Sequence, residues 1–196
     1  MPTVLRLFAA SIVFAVVQPP AVMPRWAVGA PVTVWIDEQT APPRAEALVE
    51  RAMKTWSQAL GESLRLVRAR DRAGAALRVN FVAGDHVYGE ARPRVERGAI
   101  VGADVFISRD LAAIGDALEQ QIILYLTALH EIGHALGLRH TDDFSTIMYS
   151  FRRPDDGERY FGAYRQRLRG ADDIGTARAT GLAPADVEAL RALYRR

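Results

Sequence analysis

The apolar positions of this chain switch between a period of two and a period near 3.6. Residues 32–36, VTVWI, are β-branched and aromatic and predict a strand. Over 41–61, Leu48, Ala52, Met53, Trp56 and Leu60 recur at spacings of three and four, which predicts a helix with one apolar stripe. Pro42 and Pro43 suit an entering helix, and Gly61 is placed to stop it. Segments 64–69 and 77–82 alternate and predict half-buried strands. Residues 86–95 make a poorer strand, because Pro93 removes a ladder donor and belongs at a sheet edge or a bulge. ADVFIS, 103–108, predicts another short strand. Ile122, Ile123, Leu126 and Leu129 mark a long helix from Asp116 through Leu136. Residues 150–180 read as irregular and charged, and 183–194 as a helix with Val187, Leu190 and Tyr194 on one side.

That order predicts an α+β fold with a mostly sequential sheet. Composition changes the picture in three ways. At 196 residues the chain has room for one domain with a proper core, expected over 24–196. Net charge is +2, Lys54 is the only lysine, and the arginines are scattered among acids. This describes a mixed-charge surface and argues against a nucleic-acid partner; the arginine and alanine bias points to a GC-rich genome. There is no cysteine, which excludes disulfides, thiolate metal sites and a cysteine nucleophile. Residues 1–21 hold Arg6 and an apolar run from Leu7 to Val17, too short for a stable membrane span and suited to an export signal ending near Ala21. The expected product is exported, secreted or periplasmic, or membrane-tethered if that segment is not cleaved.

The chemistry lies in HEIGHALGLRHTDDFSTIMYS. Three of the four histidines fall here, at 130, 134 and 140. His130 and His134 are one helical turn apart, so both imidazoles leave one face and can share a zinc ion. Glu131 points about 100° away around the helix axis, beside such a metal, where a general base acting on water belongs. Gly137 can take positive φ and end the helix, letting His140 arrive from another direction. Three histidines with a fourth position open is the coordination of a catalytic zinc. The competing reading, imidazoles scattered on an amphipathic helix, requires glycine, glutamate and third histidine to coincide by accident.

These residues resemble the metzincin zinc peptidases. Thr141, Asp143 and Tyr149 directly after Met148 look like the matrixin, or matrix metalloproteinase-like, branch, and a minimal bacterial member of it. PRWAVGAPVTVWID, RAMKTWSQ, LRVNFVAGDH and ADVEALRALY resemble its first strand, first helix, third strand and closing helix in order. The resemblance implies a twisted, mostly parallel five-stranded sheet with an antiparallel edge strand, two long helices and a C-terminal helix. It implies Met148 in a tight turn beneath the imidazoles, and a peptide added along the edge strand at Gly89, Glu90 and Ala91. Tyr149, Ser150 and Phe151 would wall the pocket after the scissile bond, within a wall reaching Pro154. Leu126 would either tune that pocket's depth or simply pack in the core.

The departures matter equally. Without cysteine, cysteine-switch latency is not expected, and neither is a haemopexin-like extension. Only His86 is available for the family's structural zinc, and Phe106 stands where a later ligand is expected. One catalytic zinc is therefore expected, with no structural zinc, and the usual calcium sites are not expected. Residues 151–180 have no family counterpart that the sequence alone places; they are expected to border the cleft. The reading is a monomeric zinc endopeptidase acting on polypeptides. Its rivals are a catalytically silent zinc-containing module that holds peptides on its edge strand, and a zinc hydrolase for other amides.

Overall fold

The computed structural model describes residues 23–83 and 88–195. The candidate export segment 1–21 and His86 lie outside the described residues. The elements are β1 (Pro31–Ile36), α1 (Ala45–Leu60), β2 (Arg65–Arg68), β3 (Leu77–Val82), β4 (Gly89–Glu96), β5 (Ala99–Ser108), α2 (Ala117–Ala135), α3 (Asp156–Arg165) and α4 (Pro184–Leu193), with a short 3-10 turn at Ala171–Asp173. The fold is α+β. Its five-stranded sheet has the order β2-β1-β3-β5-β4 and is parallel except for β4, which runs antiparallel to β5 at the edge.

That order corrects the expectation of a mostly sequential sheet. β1 is hydrogen-bonded to β3 and β3 to β5, each skipping an element in sequence. Parallel neighbours need a crossover connection, and α1 supplies the one between β1 and β2. β5 is also longer than expected. It starts at Ala99, because a tight turn at Arg97 and Gly98 folds β4 back onto residues 99–102 as a hairpin. The largest correction is α3, ten helical residues within a segment expected to be irregular. Its buried Tyr160, Phe161 and Tyr164 explain why it forms.

Alternation sorts the strands. Val32, Val34 and Ile36, Leu77, Val79 and Phe81, and Ala103, Val105 and Ile107 are buried in the core shared with the helices. α1 begins at Ala45 and not at 41, because Pro42 and Pro43 disfavour helical geometry in the residues before them. It ends where Gly61 adopts φ 59 and donates to the Ser57 carbonyl. α2 runs through the middle of the core with thirteen buried residues. Packing of that kind, worth about 1.5–3 kcal/mol per large aliphatic side chain, holds such a helix more than propensity does. Asp116 caps its N-terminus by accepting from Leu118 and Glu119. Among the described residues, no helix is long and apolar enough to cross a membrane.

Candidate metal centre

His130 and His134 stand on the last turns of α2. There the chain forms a Schellman turn: the Leu138 N–H donates to Gly133 O at 3.0 Å and the Gly137 N–H to His134 O at 2.9 Å. Gly137 sits at φ 99, and a Cβ there would lie 2.3 Å from the Pro24 carbonyl. The turn needs glycine on both counts. Deeper carbonyls of the helix end are satisfied from elsewhere: Trp26 Nε1 donates to Ala135 O and the Tyr194 hydroxyl to Leu136 O.

Beyond the turn His140 arrives, and the three Nε2 atoms meet at 3.0–3.1 Å. The contact between His130 and His134 is not a hydrogen bond. His130 Nδ1 lies 2.6 Å from Ile147 O, and His134 Nδ1 lies 2.9 Å from Leu138 O. A carbonyl only accepts, so both Nδ1 atoms carry the proton and both Nε2 atoms present lone pairs to each other. Lone pairs facing at that distance repel unless a cation lies between them. Tetrahedral zinc with Zn–N near 2.0–2.1 Å sets nitrogens about 3.3 Å apart, so the cluster fits the ion with a small expansion. This trio is the group found among the described residues whose atoms could hold a metal. Burial pushes the His130 pKa down to about 4, and neighbouring His134 adds to the fall. His134 and His140 are also lowered, chiefly by burial. All three are thus neutral near pH 7, as ligation requires.

Glu131 is buried and its carboxylate has no hydrogen-bond partner among the described residues. Burial, with the charge of Glu90 second, pushes it up to about 8. A dication beside it opposes that shift. Glu131 lines a cleft of about 900 Å³ that also reaches His130, His134 and His140. Gly89 comes so close that a Cβ would lie 2.7 Å from Glu131 Cγ and 2.7 Å from Thr127 Cγ2. Gly89→Ala is expected to turn the Glu131 carboxylate aside and lower kcat about 10²-fold, the cost of roughly 1 Å of misplacement. Bound zinc should stay stoichiometric; steady-state rates beside metal analysis check both.

Met148 packs beneath α2. A Cβ on Gly133 would lie 2.6 Å from Met148 Sδ and 3.1 Å from Trp56 Cζ2. This contact falls between His130 and His134 in sequence. The loop carrying Met148 is pinned to the one carrying His140: the Thr141 N–H donates to Met148 O at 2.8 Å and Ser150 N–H to Thr141 O at 3.2 Å. Asp143 shapes the turn by accepting from the Ser145 N–H and hydroxyl. The sequence did not reveal Asp186, on the first turn of α4. Its buried carboxylate accepts from Ile147 N–H at 3.0 Å and Ala183 N–H at 2.8 Å. An acid in a first helical turn reads as ordinary capping, and half of its job is that. Burial raises its pKa, against these hydrogen bonds. Asp186→Ala should destabilise the protein by about 1–3 kcal/mol per stranded N–H, seen as a lower Tm and weaker zinc retention.

The other anticipated pocket residues divide. Gly89, Glu90, Ala91, Leu126, Ser150 and Phe151 line the cleft. Leu126 does so while 1% exposed, so pocket and core roles coincide. Tyr149 is not among the lining residues: its ring packs edge-on to Phe144 and its hydroxyl donates to Asp156 behind the wall. Phe106 lies on the outer sheet face with the Arg92 guanidinium 4.8 Å over its ring. β4 has β5 on one side only. The Ser108 N–H donates to Tyr88 O, so by alternation Gly89, Ala91 and Pro93 turn their backbone groups to the free edge. Pro93 therefore costs the sheet no donor.

Comparison with known proteins agrees with this geometry. The family model described as matrixin matches residues 26–162. The match thus runs into α3, where the sequence reading placed no counterpart, and stops before α4. The interstitial collagenase of Oryctolagus cuniculus is 29% identical over 109 residues, 52% of this chain and 22% of that protein. The metalloendoproteinase 1-MMP of Arabidopsis thaliana is 31% identical over 121 residues, 56% of this chain and 32% of that protein. Matrix metalloproteinase-18 of Xenopus laevis is 29% identical over 112 residues, 53% of this chain and 23% of that protein. The aligned region spans under a third of each of these curated relatives.

Proposed function

The chain belongs to the matrixin family, and from that premise we propose that it is a zinc endopeptidase cleaving extended polypeptides. The observation that carries the reading is the convergence of three imidazole Nε2 atoms beside a buried carboxylate that is unpartnered among the described residues, at a cleft bordered by a free strand edge. His130, His134 and His140 would hold one ion, with Met148 as the apolar base beneath them. Zinc bound there supplies Lewis acidity, which acidifies water and polarises the scissile carbonyl.

The protein's own residues do the rest. Gly89 and Ala91 offer N–H and C=O groups to a substrate backbone, which would lie as an added strand with its scissile bond over the histidines. Glu131 takes the proton from the attacking water and delivers it to the leaving amine, a role worth about 10²–10⁴ in rate. Leu126, Ser150 and Phe151 border the pocket for the residue after the scissile bond. Residues 1–21 act as an export signal, and residues 24–196 work as one monomeric catalytic unit.

The test is mass-spectrometric profiling of a proteome-derived peptide library incubated with the zinc-loaded protein. New internal termini with a shared sequence preference are expected. Stoichiometric, zinc-dependent peptide binding without any cleavage would replace this reading with that of a silent peptide-holding module, which the free edge of β4 equally permits.

A further inference from the structure

The loop 149–154 and α3 use one carboxylate in a way the peptidase reading leaves unexplained. Asp156 is 1% exposed. Its Oδ2 accepts from the Tyr149 hydroxyl at 2.8 Å, the Arg152 N–H at 3.0 Å and the Arg153 N–H at 2.9 Å. Arg159 approaches Oδ1 at 3.6 Å. One oxygen therefore ties both flanks of Phe151 to the start of α3. The Arg153 N–H, the largest influence, holds this carboxyl below its ordinary range, with the Tyr149 hydroxyl and Arg152 N–H adding.

What is fixed in this way faces the cleft. The Phe151 ring lies 6.4 Å from His130 and is edge-on to Tyr160 at 5.4 Å. Phe161 stands behind it at 6.0 Å and meets Tyr88, next to β4, edge-on at 5.4 Å. The rings of Tyr88, Phe151, Tyr160 and Phe161 thus close a pocket whose remaining lining includes Ile123 and Leu126 of α2. α3 is anchored at its far end as well, by Arg165 to Asp116 at 2.6 Å and by the Tyr164 hydroxyl to Ala179 O at 2.6 Å. A helix held at both ends makes a fixed wall.

We propose that Asp156 is a positioning residue for side-chain selectivity: it holds Phe151 against the α3 rings so that the cleft prefers a large apolar or aromatic substrate side chain. This rests on the peptidase reading for the substrate's identity, but its test reads binding and needs no turnover. The probes are N-acetylated, C-amidated alanine-based hexapeptides carrying one Ala, Leu, Phe or Trp at a central position. They are titrated by calorimetry into zinc-loaded full-length protein carrying Glu131→Gln, with and without changes at Asp156.

In the Glu131→Gln background the Phe peptide should bind on the order of tenfold or more tighter than the Ala peptide, from buried aromatic area alone. Adding Asp156→Ala should collapse that ratio to about twofold or less while the Ala peptide keeps its affinity. Asp156→Asn keeps an accepting oxygen and should restore most of the ratio. Phe161→Ala, which leaves Asp156 intact, should move the optimum from Phe to Trp by opening the far wall. This variant decides the question if Asp156→Ala fails to fold. A ratio unchanged by the Asp156 and Phe161 substitutions overturns the proposal. So does equal weakening of all four peptides, the mark of a merely structural carboxylate, or no preference for Phe over Ala at the outset. Failure of wild-type protein to cleave any peptide counts against the peptidase reading and leaves these ratios readable.

Discussion

Glu131→Ala is expected to abolish peptide cleavage and leave zinc in place. The two effects separate because of where the side chain sits. His130 and His134 leave one face of α2, and Glu131 leaves it about a quarter-turn round, so no histidine loses a packing or hydrogen-bond partner. The carboxylate is 6% exposed and unpartnered among the described residues, and burial, with the charge of Glu90 second, pushes its pKa to about 8. A group strained in that way adds nothing to the stability of the metal-free fold, so the substitution should leave Tm unchanged or slightly higher. The rate should fall by about 10²–10⁴, the usual worth of a positioned acid–base group. The measurement is kcat/KM on one internally quenched peptide, for both proteins at equal zinc content by elemental analysis. Undiminished turnover in a variant with full zinc would remove Glu131 from the mechanism. A fall matched by lost zinc would show that it supports the metal instead.

Much of this arrangement is legible in the sequence because it is local. An i, i+4 pair on a helix shares a face whatever surrounds it, and a glycine three residues later marks the stop that lets His140 turn back. Pro93 announced an edge strand because its missing N–H has to point away from a neighbour. What escaped is what depends on distant partners. The apolar positions of α3 are three aromatics in a run of aspartates, glutamate and arginines, RRPDDGERYFGAYR, and their worth shows only against Phe151, Tyr88 and Phe144. The strand order reflects crossovers that no strand encodes by itself. Tyr149 looked like a pocket wall from its place after Met148, yet a buried acid seven residues on draws its hydroxyl away from the cleft. Asp186 was hidden for a related reason, since its charge meets a turn nearly forty residues earlier in the chain.

Removing the metal is expected to cost stability as well as activity. Without a cation, the lone pairs of His130 and His134 face each other at 3.1 Å while both Nδ1 protons are held by carbonyls. Relief requires one ring to rotate and give up its carbonyl, or to take up a proton that burial opposes. The first route disturbs Ile147 or Leu138, next to the turns that carry Met148 and His140, and the second buries a charge. An ion that binds only the folded chain adds about 4.1 kcal/mol when free zinc is a thousandfold above Kd. At roughly 2–4 °C per kcal/mol for a domain of this size, chelation should lower Tm by about 8–16 °C. Readdition of zinc should restore Tm and cleavage together. His134→Ala, which removes one ligand and its hold on Leu138 O, should melt near the chelated protein and gain little from added zinc. A Tm indifferent to chelation, with cleavage intact, would mean that these three imidazoles do not hold the working metal. Loss of cleavage at constant Tm would mean a preformed site that tolerates emptiness, and the repulsion argued from the Nε2 distances would then be wrong.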